Sequence, residues 1–234
     1  MYPELDLLSP VHIISTLFCI LVIIYLPRYF ITATESKKNF FKIALLCLIM
    51  INDGFDFYKT VYIFENPWQR GLPLHMCDFS AYSILIYLFT KMRIFFLFAF
   101  FWGIWGAGFA LITPDVQYGF PYFEYIQSHF GHSLILIGVS YALQIDNQRV
   151  LESDPSKILG ITTILLGITY FINWFIGMGA NYWYVNFKPE GDSIMNWMRS
   201  EPYHMIDIYI LAVILCYLLY LIYVLFEKKT QKNA

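Results

Sequence analysis

Near-uncharged apolar stretches recur along the whole chain, and no other feature restricts its fold so severely. A run of about 17 to 25 apolar residues is what an α-helix needs to cross roughly 30 Å of hydrocarbon. Seven such runs can be placed, at 11–30, 40–62, 73–90, 94–112, 124–143, 158–178 and 204–226. The composition agrees: 59% of residues are hydrophobic and only 14% charged, against about 25% charged in an ordinary soluble domain. The connections are too short to hold a separate soluble domain. The expectation is therefore an all-α, polytopic membrane bundle of seven transmembrane helices, forming one transmembrane domain over 1–234.

Positive residues are retained on the cytoplasmic side, so their distribution orients the bundle. Eleven (Arg28, Lys37, Lys38, Lys42, Lys91, Arg93, Arg149, Lys157, Lys228, Lys229 and Lys232) fall in the odd-numbered connections or the C-terminal tail. Four (Lys59, Arg70, Lys188 and Arg199) fall on the other side. The N-terminus is thus expected outside and the C-terminus in the cytoplasm, as in a multi-pass protein of the cell membrane. The opening "MYPELDLLSP" has no basic segment and no small-residue cleavage site follows, so the first helix is expected to be retained. A formal net charge of −2 and the lack of a Lys/Arg-rich stretch argue against nucleic acid as a partner.

Ionisable groups inside the bilayer are costly, about 2.5–3.5 kcal/mol on insertion scales, so each one asks for a reason. The second run contains Asn52, Asp53, Asp56 and Lys59, and the third opens with His75, Cys77 and Asp78. The fifth opens with His129 and His132, the sixth ends at Asn173 and Asn181, and the seventh opens with His204 and Asp207. With the N-terminus outside, all of these lie within about 14 Å of the outer boundary at 1.5 Å per residue. Five helices contributing polar groups to one layer imply a water-accessible cavity that opens outward. His75 with Asp78, His129 with His132, and His204 with Asp207 stand at i, i+3, a spacing that shares a helix face. An imidazole held by a carboxylate suits either a general base or a metal ligand. His12 has no such partner and reads as interfacial.

Cys77 is the one cysteine placed for chemistry. Pro73 suits the first turn of the third helix, which would put the thiol near free N–H groups and the positive end of the dipole. Its base would come from another helix, because His75 lies about 200° around the same one. Cys19, Cys47 and Cys216 read as small hydrophobes, and there is no disulfide framework or CxxC metal signature. In "WGIWGAGFA" the small pairs Gly103/Ala107 and Gly106/Ala110 predict close helix crossing. The aromatic residues at 182–184 and Trp197 suit an interfacial belt, and "NFKPEGDSIMNWMRSEP" suits a short helix on the membrane surface able to gate the cavity.

"LPLHMC", "SHFGHSLIL" and "NYWYVNFKPEGDS" together resemble the bacterial YwaF-type family of seven-helix integral membrane proteins, over most of the chain. That family is similar to a vertebrate endoplasmic-reticulum enzyme described as a cysteine-dependent acyltransferase acting between phospholipids. The resemblance implies that Cys77 accepts the acyl chain, that His132 is its base, and that His75 and His129 support them. Aromatic residues are usual in the family where His204 stands, which weighs against a general catalytic role for that residue.

The resulting expectation is a lipid acyl-transfer enzyme that needs no cofactor, with a membrane lipid as substrate. In it, helix N-terminal amides or Asn173 and Asn181 stabilise the oxyanion, while Asp53, Asp56, Asp78 and Asp207 line the substrate site. One alternative is a metal-dependent lipid hydrolase resembling the ceramidase and progestin-receptor superfamily, with His129, His132, His204 and Asp78 or Asp207 as ligands. That superfamily uses His-x3-His where this chain has His-x2-His. The other alternative is a non-enzymatic transporter or small-molecule receptor.

Overall fold

The computed structural model describes residues 2–177, 179–188 and 194–232. Long helices dominate it, and among the described residues there is no β-strand, only an isolated bridge between Glu4 and Tyr118. The helices are α1 (Pro10–Tyr29), α2 (Glu35–Tyr58), the single turn α3 (Trp68–Gly71), α4 (Met76–Thr90), α5 (Arg93–Phe98), α6 (Ile104–Ile112), α7 (Phe123–Gln144), α8 (Asp154–Ile176) and α9 (His204–Lys232). A π-helical stretch, Lys59–Ile63, continues α2, and another, Ala99–Gly103, joins α5 and α6 into one continuous rod.

Among the described residues, four helices are long and apolar enough to cross a membrane: Pro10–Tyr29, Arg93–Ile112, Asp154–Ile176 and His204–Lys228. α4 is apolar but only 15 residues long. α2 and α7 do not reach the same hydropathy because they carry the groups of greatest chemical interest: Asn52, Asp53 and Asp56 on α2, and Gln127, His129 and His132 on α7.

Several ends differ from the apolar runs, each for a local reason. α2 begins five residues before its run because Glu35, Lys37 and Lys38 are good helix formers that continue the helix past the apolar stretch. α9 likewise extends through "EKKTQK". α4 starts at Met76, so Pro73 precedes the helix instead of occupying its first turn, and Leu72 is extended. His75 therefore lies outside the helix, and the shared-face argument for His75 and Asp78 does not apply. α1 starts as its sequence dictates, with Pro10 in the first turn and the Ser9 hydroxyl accepting the His12 N–H.

The chain forms two compact units. The first comprises Met1–Asn66 and Met76–Arg149, with α7 at its centre, packed on α1, α2, α4 and α6. Glycines permit this crowding. A Cβ on Gly138 would stand 2.4 Å from Ile84 Cγ1 of α4, and one on Gly131 would stand 2.6 Å from Asn52 Nδ2 of α2. The expected close crossing at "WGIWGAGFA" is present: Ala107 is fully buried, and a Cβ on Gly103 would lie 3.1 Å from Ile135 Cγ2.

The second unit comprises Pro67–His75 and Val150–Ala234, built on the α8–α9 pair. Tyr182 and Trp183 are buried in it, so they are core residues and not part of an interfacial belt; Trp197 is 90% exposed, as a belt residue would be. Trp183 and Tyr184 have φ of 58° and 53°, a costly conformation for bulky residues. It is held by Trp183 Nε1 donating to the Leu74 carbonyl at 3.0 Å and by His204 Nε2 donating to the Tyr184 carbonyl at 2.8 Å. Of the connection expected to form a surface helix, Ile194–Trp197 is a short 3-10 turn, while 189–193 lie outside the described residues.

Candidate functional site

The first unit sets Cys77 and His132 at one level through a chain of contacts. The Cβ position of Gly103 lies close to both Ile135 of α7 and, at 3.7 Å, Ser80 of α4. One turn away, the Cβ position of Gly106 lies 3.4 Å from Cys77 Sγ. α4 and α7 run in the same direction, since Ile84 meets Gly138 beyond Ser80 and Ile135. Three residues back along each, about 4.5 Å, are Cys77 and His132. The half-buried thiol lies beside the bare Gly106 backbone, and the helical rise puts the backbone of His132 at a similar level on α7.

Hydrogen bonding fixes the tautomer of His132. Its Nδ1 lies 2.7 Å from the Ser128 carbonyl, an oxygen that can only accept, so Nδ1 carries the proton and Nε2 keeps its lone pair. This leaves the distal nitrogen available to take a proton, as a general base requires.

His129 faces elsewhere, although it is only three residues away. It stacks on Tyr125 at 4.1 Å, donates Nδ1–H to the Tyr125 carbonyl at 3.1 Å, and places Nε2 3.4 Å from Thr16 Oγ1 on α1. Thr16 donates its own proton to the Leu111 carbonyl. His12, read from sequence as interfacial, is only 4% exposed and belongs to the same cluster. Its Nε2 donates to the Ile112 carbonyl and its Nδ1 accepts from the Tyr125 hydroxyl, both at 2.9 Å. The signal for it was present in the sequence: His12, Ser15, Thr16 and Cys19 form one helical stripe.

The α2 carboxylates divide in the same way. Asp56 pairs with Lys59 at 2.9 Å and accepts from Gln127, while Lys59 also bonds Gln127 and lies 3.7 Å from Glu124. This network ties α2 to the start of α7. Asp53 lies one turn before Asp56 on α2. Its Oδ2 is buried without a partner among the described residues. Asp78 follows Cys77 in the first turn of α4, and Tyr82 lies on the same helix. Tyr82 and Gln127 have no motif to mark them in the sequence.

The remaining site residues belong to the second unit. The His75 ring packs against Tyr182 at 5.0 Å and Tyr184 at 6.0 Å. Asn173 binds both backbone groups of Tyr182, donating to its carbonyl and accepting its N–H at 3.0 Å. Asn181 accepts the Asn186 and Phe187 N–H groups and donates to the Phe187 carbonyl. The amides expected to hold an oxyanion therefore shape their own loop. Asp207 does not hold His204; it binds the Arg199 guanidinium, with Nε at 3.0 Å, and the Arg199 N–H. His204 is fully buried, with Nδ1 unpartnered among the described residues. No group of three or more His, Cys, Asp or Glu side chains is disposed to hold a metal ion among the described residues.

The family model described as TMEM164 family matches residues 7–223, and the chain belongs to that family, which consists of membrane proteins. No curated protein and no solved structure matches the chain.

Proposed function

We propose that this member of the TMEM164 family is a lipid acyl-transfer enzyme working through Cys77 and His132. The observation that carries the reading is the shared level of the two residues, combined with a His132 tautomer that leaves Nε2 unprotonated. In the first half-reaction His132 Nε2 takes the thiol proton while Sγ attacks an ester carbonyl of a membrane lipid. The tetrahedral intermediate expels the lipid alcohol, which takes that proton back, and the acyl group stays on Cys77 as a thioester. A second lipid alcohol then gives its proton to His132 and attacks the thioester; the C–S bond breaks, the new ester leaves, and the Cys77 thiolate takes the proton back from His132. Backbone N–H groups at the start of α4 serve the oxyanion, because Asn173 and Asn181 are already committed to backbone groups.

The same proposal includes seven membrane crossings, with α2, α4 and α7 completing the bundle and the N-terminus outside. The Asp56–Lys59–Gln127 network pairs polar groups of α2 with one of α7, which lowers the cost of placing those three residues in lipid.

The deciding assay measures transfer of a labelled acyl chain between phospholipids by purified protein in vesicles. Cys77→Ala and His132→Ala should each abolish transfer, and the double variant should lose no more than either, because groups acting as one unit are non-additive. Full transfer by Cys77→Ala protein would refute the mechanism.

A further inference from the structure

Gly106 stands beside the thiol for a reason that packing does not supply. Other helical glycines of the first unit are crowded by their neighbours: a Cβ would lie 2.4 Å from Ile84 Cγ1 at Gly138, 2.6 Å from Asn52 Nδ2 at Gly131 and 3.1 Å from Ile135 Cγ2 at Gly103. A side chain at any of these would have to push on another helix. Outside its own helix, a Cβ on Gly106 would meet one atom within 4 Å among the described residues, Cys77 Sγ at 3.4 Å, which is ordinary van der Waals contact. An alanine would therefore fit there, and alanine is the better helix former.

What the alanine would remove is open space beside the sulfur. Gly106 and Cys77 are both half-buried. Gly103 lies beside Ser80 and Gly106 beside Cys77, so α4 and α6 run antiparallel, and α4 begins only one residue before Cys77. α6 continues to Ile112 past the end of α4, and Ala110, the next residue on the Gly106 face, is small and half-buried as well. One flank of the thiol is thus left without a covering side chain. Attack on an ester needs such a flank, because the carbonyl carbon must come within about 3–3.5 Å of the nucleophile before the bond forms. We infer that Gly106 is the specificity-determining residue of the Cys77 site, its missing side chain being the clearance that admits an ester carbonyl together with the carbon next to it. Residue 106 then sets how bulky a fatty acyl group can be at C2. In the thioester, an Sγ–C1 bond replaces the C1–O bond of the ester, and the thiol proton passes through His132 to the departing alcohol; Gly106 takes part in neither exchange and acts by leaving room. The substrate class rests on the acyl-transfer reading, whereas the clearance at the thiol does not.

The test alkylates Cys77 in the full-length protein in detergent, with the rate read from the Cys77 peptide by mass spectrometry and divided by that of free cysteine. Iodoacetamide presents an unbranched carbon, and 2-iodopropanamide presents the same carbon bearing one methyl. In the native chain the two normalised rates should be equal, because the clearance accepts the methyl. In Gly106→Ala the iodoacetamide rate should fall about tenfold, the scale at which one misplaced methyl discriminates, and the 2-iodopropanamide rate should fall further. Thermal stability should be kept or raised. Gly108→Ala, whose Cβ position meets nothing within 4 Å, should change neither rate. In vesicles, Gly106→Ala should lose transfer of a 2-methyl acyl chain more than transfer of a straight one. Equal alkylation of the native chain and Gly106→Ala would overturn the inference, as would the same loss in Gly108→Ala. So would a destabilised Gly106→Ala, since the position would then be filled, or native protein that already discriminates tenfold against 2-iodopropanamide. Gly106-dependent alkylation with full acyl transfer by Cys77→Ala would keep the clearance and remove the proposed function. Cys77-dependent transfer with alkylation indifferent to residue 106 would do the reverse.

Discussion

Gly138→Ala tests the packing on which the Cys77–His132 register depends. The added Cβ would stand 2.4 Å from Ile84 Cγ1, about 1 Å short of an ordinary carbon contact. Ile84 is fully buried, so relief requires either a poorer rotamer or a shift of α4 away from α7. Overpacking of this kind costs about 1–3 kcal/mol. Replacing a helical glycine by alanine returns about 1 kcal/mol of helix propensity, so the net loss should be about 0–2 kcal/mol. Gly108→Ala, with nothing within 4 Å of its Cβ position, keeps only the propensity gain and should be neutral or stabilising by up to about 1 kcal/mol. Reversible unfolding in mixed micelles would measure both. A double-mutant cycle with Ile84→Ala isolates the clash, since removing Cγ1 should make Gly138→Ala benign and leave a coupling of about 1–3 kcal/mol. Because the same shift would move Cys77 relative to His132, acyl transfer should fall more than stability does. Equal stability for Gly138→Ala and Gly108→Ala, with no coupling to Ile84, would refute the register from which the site is built.

Other outcomes test separate parts of the reading. In a protein whose Cys19, Cys47 and Cys216 are replaced by Ala, His132→Ala should slow alkylation of Cys77 by iodoacetamide, whereas His129→Ala should leave the rate unchanged because its ring is engaged with α1; equal slowing by both would remove the distinction between them. Asn173→Ala strips partners from both backbone groups of Tyr182 in a buried loop and should cost about 2–4 kcal/mol in a thermal melt, with Asn173→Asp little better because a carboxylate cannot donate to the carbonyl. Reporter fusions should place the C-terminal tail in the cytoplasm and the segment around Asp115 outside; the opposite result would reverse the orientation of the proposed cavity.

The sequence alone determined the helical class, the membrane environment and the approximate position of every long helix. A chain with this few charges can satisfy its backbone in lipid only by helices, and an apolar run records its own length. It also marked Cys77 and His132 through motif resemblance, and the small residues of "WGIWGAGFA" as a crossing point. It misjudged partners. His129 and His132 share a spacing but diverge because α1 and α2 flank α7 on different sides, and no i, i+3 rule contains the neighbours. His204 and Asp207 part in the same way, one ring drawn to the Tyr184 carbonyl and the carboxylate to Arg199. Asn173 and Asn181 looked like free amides because the loop they stitch bends back on itself through left-handed Trp183 and Tyr184, a geometry without a local signature. Helix identity is a property of consecutive residues, and was legible. The tautomer of His132, the place of His12 in the core and the layer that joins Cys77 to Gly106 depend on which helices stand side by side, and only tertiary packing decides that.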